Sequence, residues 1–235
     1  MALGNKTLDD LLGPISKQLE HDGVAESVTM PEWEFKAQRV TDGLSAAQLV
    51  DLFESEAGKI RVQAKRCTKE GLAQAIADIV AEGEPESGAE CTVVCADEPA
   101  FAEAGLADAL RACDKVTDVH VWDEAAGDDN VQKARYATFG ITYAADGIAE
   151  SGTVVQPTSP KCGRAISLLP LVHIAVVDAA TIKPTMFEIM ESYAAGGKLP
   201  SQVCFISGPS ATADIELVRV EGVHGPMYVD YVIVE

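Results

Sequence analysis

No apolar run in this 235-residue chain is long enough to cross a bilayer as a helix. The most apolar stretch, Leu168 to Val177, is about ten residues, where a spanning helix needs ~20. Basic residues are also scarce. Lys and Arg number 18 against 37 Asp and Glu, for a formal net charge of −19. That balance argues against nucleic acid, because binding a phosphate backbone relies on clustered cations that release counterions. The densest group, Lys59, Arg61, Lys65, Arg66 and Lys69, lies among carboxylates and reads as a solvated surface. A small anionic ligand stays compatible, given a local pocket of donors. The six cysteines (Cys67, Cys91, Cys95, Cys113, Cys162, Cys204) contain no C-x-x-C and no run of iron–sulfur type. No cofactor or metal is therefore expected on this chain. Cys91 and Cys95 flank an apolar Thr92-Val93-Val94 and read as small buried hydrophobes. Met1 to Asp10 has neither the basic nor the apolar region of a secretory signal, so free thiols in a reducing cytoplasm are expected.

What is present is ordinary globular composition, 47% apolar and 23% charged. The first 44 residues are weakly patterned and read as a helical arm, with the main domain at 45–235. In the arm Leu8, Leu11, Leu12, Ile15 and Leu19 recur at helical spacing, and Gly13-Pro14 should end or kink the helix. A polar stretch with Trp33 and Phe35 follows, read as lying over the main body.

From Ser45 the chain alternates. Ser45 caps a helix bearing Ala46, Leu49, Val50 and Phe53. Ile60–Ala64 alternates like a strand, and Thr68 caps a helix with Leu72, Ile76, Ile79 and Val80 on one face. Strands are predicted at 91–96, 116–122, 153–155, 172–177, 203–206 and 227–234. Helices are predicted from Pro99 (Phe101, Leu106 and Leu110 inward), over 130–138, over 164–169, and from Pro184 to a stop at Gly196-Gly197. This alternation means an α/β fold, a mostly parallel sheet with helices on both faces. In such sheets ligands bind beyond the carboxyl ends of the strands, which directs attention to the loops after Val94, Trp122, Val155, Val177 and Ile206.

Four segments carry candidate chemistry. In Gly140–Thr153, polar residues sit among small ones just before a strand. Glu150 there suits a general base, a nucleophile or a clamp on backbone amides. In Lys161–His173, Arg164 opens a short helix with a guanidinium suited to a carboxylate, and Ser167 lies one turn further on the same face. His173 has apolar neighbours on both sides, the pattern of a core histidine as much as of a catalyst. In Ser207–Glu216, Gly208, Ser210, Thr212 and Asp214 follow a strand and read as a turn opening a helix. Such an N-terminus takes a single carboxylate, or Asp214 holds a neighbouring loop. The G-K-[ST] ending of a phosphate-binding loop is missing. In Gly222–Pro226, His224 between glycines is accessible and able to change charge near neutral pH, or forms part of a tight turn.

These four blocks, in this order from Gly140 to Pro226, resemble the lactate-utilization members of the LUD-domain family. The resemblance implies a fold like that of the sugar-phosphate isomerase and CoA-transferase superfamily. It also implies a role in oxidising L-lactate to pyruvate beside iron–sulfur subunits. This chain would be the cluster-free component, with the clusters in its partners. Three readings follow. The chain binds the hydroxy acid, with Arg164 on the carboxylate and His173 or His224 taking the hydroxyl proton. Alternatively it is a non-catalytic scaffold or assembly subunit. The third reading, from fold alone, is a CoA or acyl transferase with Glu150 as nucleophile.

Overall fold

The computed structural model describes residues 8–20, 39–83, 90–196, 199–213 and 219–235. The chain divides into two units, Met1–Arg39 and Val40–Glu235. The first contributes α1 (Leu8–Gln18), which continues through Pro14 instead of ending there. Proline's fixed φ is itself helical, and only one amide bond is forfeited. Trp33 and Phe35 lie outside the described residues, as does Gly197.

The second unit opens with α2 (Ala46–Lys59). Ser45 caps it as predicted, in a box where Ser45 Oγ accepts from the Gln48 amide and Gln48 Oε1 accepts from the Ser45 amide at 2.9 Å. β1 (Gln63–Cys67) starts three residues later than the sequence suggested. The helix runs to Lys59, and Ile60 and Arg61 (φ +65°) form the turn. α3 (Leu72–Glu82) has Gly71 at its cap position; Thr68 Oγ1 instead accepts from the Gly71 amide at 3.3 Å in the preceding turn. β2 (Cys91–Cys95) follows. The helix expected from Pro99 is two pieces, α4 (Pro99–Glu103) and α5 (Leu106–Arg111), separated at Gly105. Then come β3 (Val116–Val121), α6 (Asp128–Tyr136), β4 (Phe139–Tyr143), β5 (Asp146–Ile148), β6 (Thr153–Pro157), α7 (Ala165–Leu168), β7 (Val172–Asp178) and β8 (Ile182–Lys183). The last elements are α8 (Met186–Ala195), β9 (Val203–Ile206), β10 (Ala211–Ala213), β11 (Arg219–Glu221) and β12 (Tyr228–Val234). Thr185 caps α8, so the helix predicted from Pro184 begins at Met186.

Six strands form one sheet in the order β1-β12-β7-β4-β2-β3, and every pairing in it is parallel. β7 is buried on both faces. Ile174 and Val176 pack with Leu72, Ile76 and Val80 of α3 and Leu106 and Leu110 of α5. Ala175 and Val177 pack with Leu49, Val50, Phe53 and Ala57 of α2. The predicted α/β architecture with helices on both faces is therefore correct, but one parallel sheet does not account for every strand. β8-β5-β6-β9 form a second sheet, antiparallel except for β5–β8. The loops after Val155 and Ile206 therefore belong to that sheet. Only β5 and β6 are joined by a short turn, which an antiparallel pair allows, while β8 and β9 enter this sheet after the chain has passed through α7 and β7. Among the described residues no helix is long and apolar enough to cross a membrane.

The sheets close together through α2. Gly152, at φ +58°, lies so near α2 that a Cβ there would stand 2.3 Å from the Ala57 amide nitrogen. Gly58 has open space around it. Gly152→Ala should cost about 2–4 kcal/mol, combining the left-handed penalty with overpacking. Gly58→Ala should stabilise by about 0.4–1 kcal/mol. Urea midpoints of the two variants test this, and equal shifts in the same direction would refute the close-contact account.

Candidate functional site at the amino edge of the sheet

The four blocks fold onto one another. The first block forms β4, β5 and the start of β6, strands that its polar and small residues concealed. At Gly140 a Cβ would stand 2.0 Å from the Ile166 carbonyl oxygen, so α7 of the second block lies directly on β4. Thr142 Oγ1 and His173 Nε2 are hydrogen-bonded at 2.9 Å. Thr153 Oγ1 meets Ser207 Oγ at 2.7 Å, joining the first block to the third. The Ser210 amide donates to Pro226 O at 2.9 Å and the Gly222 amide to Ser210 O at 3.0 Å, joining third to fourth. The Met227 amide donates to Leu171 O at 2.9 Å, which closes the circuit onto the second block.

Within that frame several candidates have structural work. His173 is fully buried, in register between Gly140 and Val229, and its Nδ1 has no hydrogen-bond partner among the described residues. Burial pushes its pKa down to about 4, so the ring is neutral near pH 7. A base working near neutrality needs a pKa close to that pH; His173 fits a core residue better. Glu150 is exposed, and its Oε1 accepts from the Met186 amide at 3.2 Å, so the carboxylate clamps the start of α8. Ser167 is buried and its hydroxyl donates to Arg164 O at 3.2 Å. Arg164 is exposed and donates to Gln202 Oε1 at 2.7 Å, so the two do not share a face as their spacing suggested.

Among its described residues the third block does not open a helix. After the turn at Gly208, residues Ala211–Ala213 form β10, paired antiparallel with β11, with Thr212 opposite Val220. The ladder engages backbone groups that an anion site would have used, so the helix-terminus carboxylate site is not formed. Asp214 lies outside the described residues. His224 is exposed in the turn before β12.

The position of these turns departs from the expectation for parallel sheets. Leu168–Leu171 and Gly222–Met227 precede β7 and β12, so they sit at the amino ends of the strands. A cleft of about 480 Å³ opens at the same edge, lined by Arg61, Gln63, Lys65, Glu82, Tyr228 and Asp230 over a floor that includes Ala64, Ile79 and Val172. The Arg61 guanidinium pairs with Glu221 of β11, and Lys65 Nζ with Asp78 at 2.9 Å. The Asp230 carboxyl makes no hydrogen bond or ion pair within the described residues, and burial pushes it up to about 6. Sequence reasoning missed it. The available signal was a lone carboxylate inside the otherwise apolar Tyr-Val-Asp-Tyr-Val-Ile-Val. No group of three or more His, Cys, Asp or Glu among the described residues is arranged to hold a metal.

The two shifted groups make opposite contributions to acid stability. Between pH 6.5 and about 4 the unfolded chain protonates its histidine while folded His173 stays neutral, so stability falls as pH falls, by on the order of 3 kcal/mol in all. Folded Asp230 binds its proton below about pH 6, before the unfolded carboxyl does, so its contribution falls as pH rises through that value. His173→Gln should flatten the acid loss measured by urea unfolding from pH 7 to 4, and Asp230→Asn should steepen it. An unchanged slope in His173→Gln would refute the neutral buried ring.

Residues 50–234 match the LUD domain family. The chain is 37% identical to "Lactate utilization protein C" of Geobacillus kaustophilus over 235 residues, covering 96% of this chain and 95% of the relative. It is 35% identical to the protein of that name in Bacillus subtilis, with the same coverage. The one in Oceanobacillus iheyensis is 32% identical over 240 residues, covering the whole of both chains. A crystal structure of a DUF162 family protein from Deinococcus radiodurans superposes with a TM-score of 0.55 at 24% identity, covering 82% of this chain and 99% of that one, a likeness of fold. With the four interlocked blocks all inside the matched span, the chain belongs to the LUD-domain family.

Proposed function

We propose that the chain serves lactate utilization as the cluster-free component of an L-lactate-oxidising system. It would meet the hydroxy acid and work beside iron–sulfur subunits that carry the electrons away. The observation that carries this reading is similarity from end to end with proteins named for lactate utilization, at 32–37% identity. The chemistry supplies the partners' class. Turning the CH–OH of lactate into the C=O of pyruvate releases two electrons and two protons. The cysteines of this chain follow no cluster-binding spacing, so the electrons need an acceptor elsewhere. Six unpaired thiols suit a reducing cytoplasm.

A second reading, an assembly subunit without chemistry of its own, draws support from the structural work done by Glu150, Ser167 and His173. Each of these side chains already holds part of the fold. The transferase reading would require Glu150 to leave the α8 amide it caps.

Deleting the gene in its own organism should abolish growth on L-lactate as sole carbon source while leaving growth on pyruvate intact. Affinity purification from lactate-grown cells should bring down iron-containing chains and lactate-dependent dye reduction. Undiminished growth of the deletion strain on L-lactate would end this reading. Glu150→Gln should complement the deletion fully under either lactate reading; loss of growth with a normal melting temperature would favour the transferase.

A further inference from the structure

We propose that the amino-edge cleft binds a short monocarboxylate bearing an α-hydroxyl, with Arg61 and Lys65 meeting the carboxylate and Asp230 accepting a hydrogen bond from the hydroxyl. This deepens the lactate reading and rests on it for the choice of hydroxy acid. The geometry is independent of it.

The argument starts from Asp230. A half-buried carboxyl in the wall of a cleft, with Val172, Val229, Ala64 and Ile79 also lining it, lacks among the described residues a protein hydrogen bond to offset its partial desolvation. A hydroxyl donor restores one. Register puts the cations alongside. Gln63 pairs with Asp230 and Lys65 with Val232 across β1 and β12, so Gln63, Lys65 and Asp230 share one face of the sheet. Arg61 reaches the cleft from a left-handed backbone (φ +65°), a strained conformation for a residue with a Cβ. The turn holds it there through the Arg61 amide to Gly58 O at 3.2 Å and the Val62 amide to Ala57 O at 3.0 Å. The present partners of the two cations, Glu221 and Asp78, form solvent-accessible pairs of the kind worth little, so a ligand carboxylate exchanges for them readily. Glu82 at the rim and the C-terminal carbonyls of α3 disfavour a second carboxylate. The small apolar floor suits a short aliphatic stem. These features together select a monocarboxylate with one donor beside it.

The test is titration of the purified full chain with L-lactate, by calorimetry and by amide shifts in ¹⁵N-labelled protein. Lactate should bind and move the amides of Ala64, Val172 and Asp230. Asp230→Asn, nearly isosteric, and Arg61→Ala should each weaken binding about tenfold or more. Lys133→Ala, which breaks only an ion pair with Asp118, should leave binding unchanged. Pyruvate, lacking the hydroxyl, and malate, with its second carboxylate, should bind more weakly than lactate. Absence of heat and shifts with lactate overturns the proposal. So do shifts confined to residues outside the cleft, undiminished binding by Asp230→Asn, or tighter binding of L-alanine than of lactate. Complementation separates the two readings. If Asp230→Asn restores growth on L-lactate as well as the unaltered gene does, the cleft assignment falls and the lactate role stands. If the deletion strain grows on lactate while lactate still titrates the cleft, the role falls and the cleft stands.

Discussion

One buried phenol joins the layers of this domain. Tyr231 of β12 stacks on Phe53 of α2, with ring centroids 5.4 Å apart and 20° between planes. Its hydroxyl donates to the Ile206 carbonyl of β9 at 2.9 Å. The parallel sheet, the helix covering it and the second sheet thus meet at one side chain. A tyrosine hydroxyl in a core needs such a partner to offset its desolvation. Burial pushes its acidity far from the physiological range, so it acts as a fixed donor. Gly152 reaches the same helix four residues beyond Phe53, which lets the turn before β6 press onto α2. These two contacts join a wider apolar cluster in which Leu49, Val50 and Ala57 of α2 meet Val154 and Ile182 of the second sheet and Val177 and Ile233 of the first.

Much of the architecture was legible because burial on two faces and the 3.6-residue period write themselves into composition. β2, β7 and β12 read directly as apolar runs, and α2 announced its start through Ser45. What escaped were elements whose identity comes from their neighbours. Gly140–Tyr143 shows polar residues among small ones, yet parallel ladders with β2 and β7 make it a central strand. Ala211–Ala213 looks like a helix opening, yet Arg219–Glu221 supplies it with a ladder partner. Thr68 has the right side chain for a cap, but the chain stays in a turn for three more residues. Asn130, expected to begin α6, is instead buried within it, its Oδ1 2.8 Å from His120 Nε2 and its amide donating to Asp123 O at 2.6 Å.

The same lesson holds at the site. The four blocks that identify the family were visible as chemistry-bearing residue types. Their hydroxyls, amides and one imidazole turn out to bind largely one another, from Thr142 with His173 to Ser210 with Pro226. Small and hydroxylated residues suit that task, since they allow backbones to approach and then satisfy the groups brought inside. Asp230 was hard to find because a single carboxylate in an apolar strand matches no spacing rule. Its importance appears only when β1 and α3 are in place around it.

The strand order has a consequence for how the chain acquires its shape. β12 lies between β1 and β7, pairing Gln63 with Asp230 and Tyr228 with Val172. β1 therefore joins the sheet only through a segment far along the chain, and that loop must close before the contacts repay it. Topologies of this kind fold slowly. Until β12 arrives, β1 and β7 each present an unpaired edge of backbone donors and acceptors, the template on which chains pair with one another instead of with themselves. The charge of −19 then bears on the journey as well as on the finished molecule, because mutual repulsion keeps half-assembled copies apart while the central strand finds its slot.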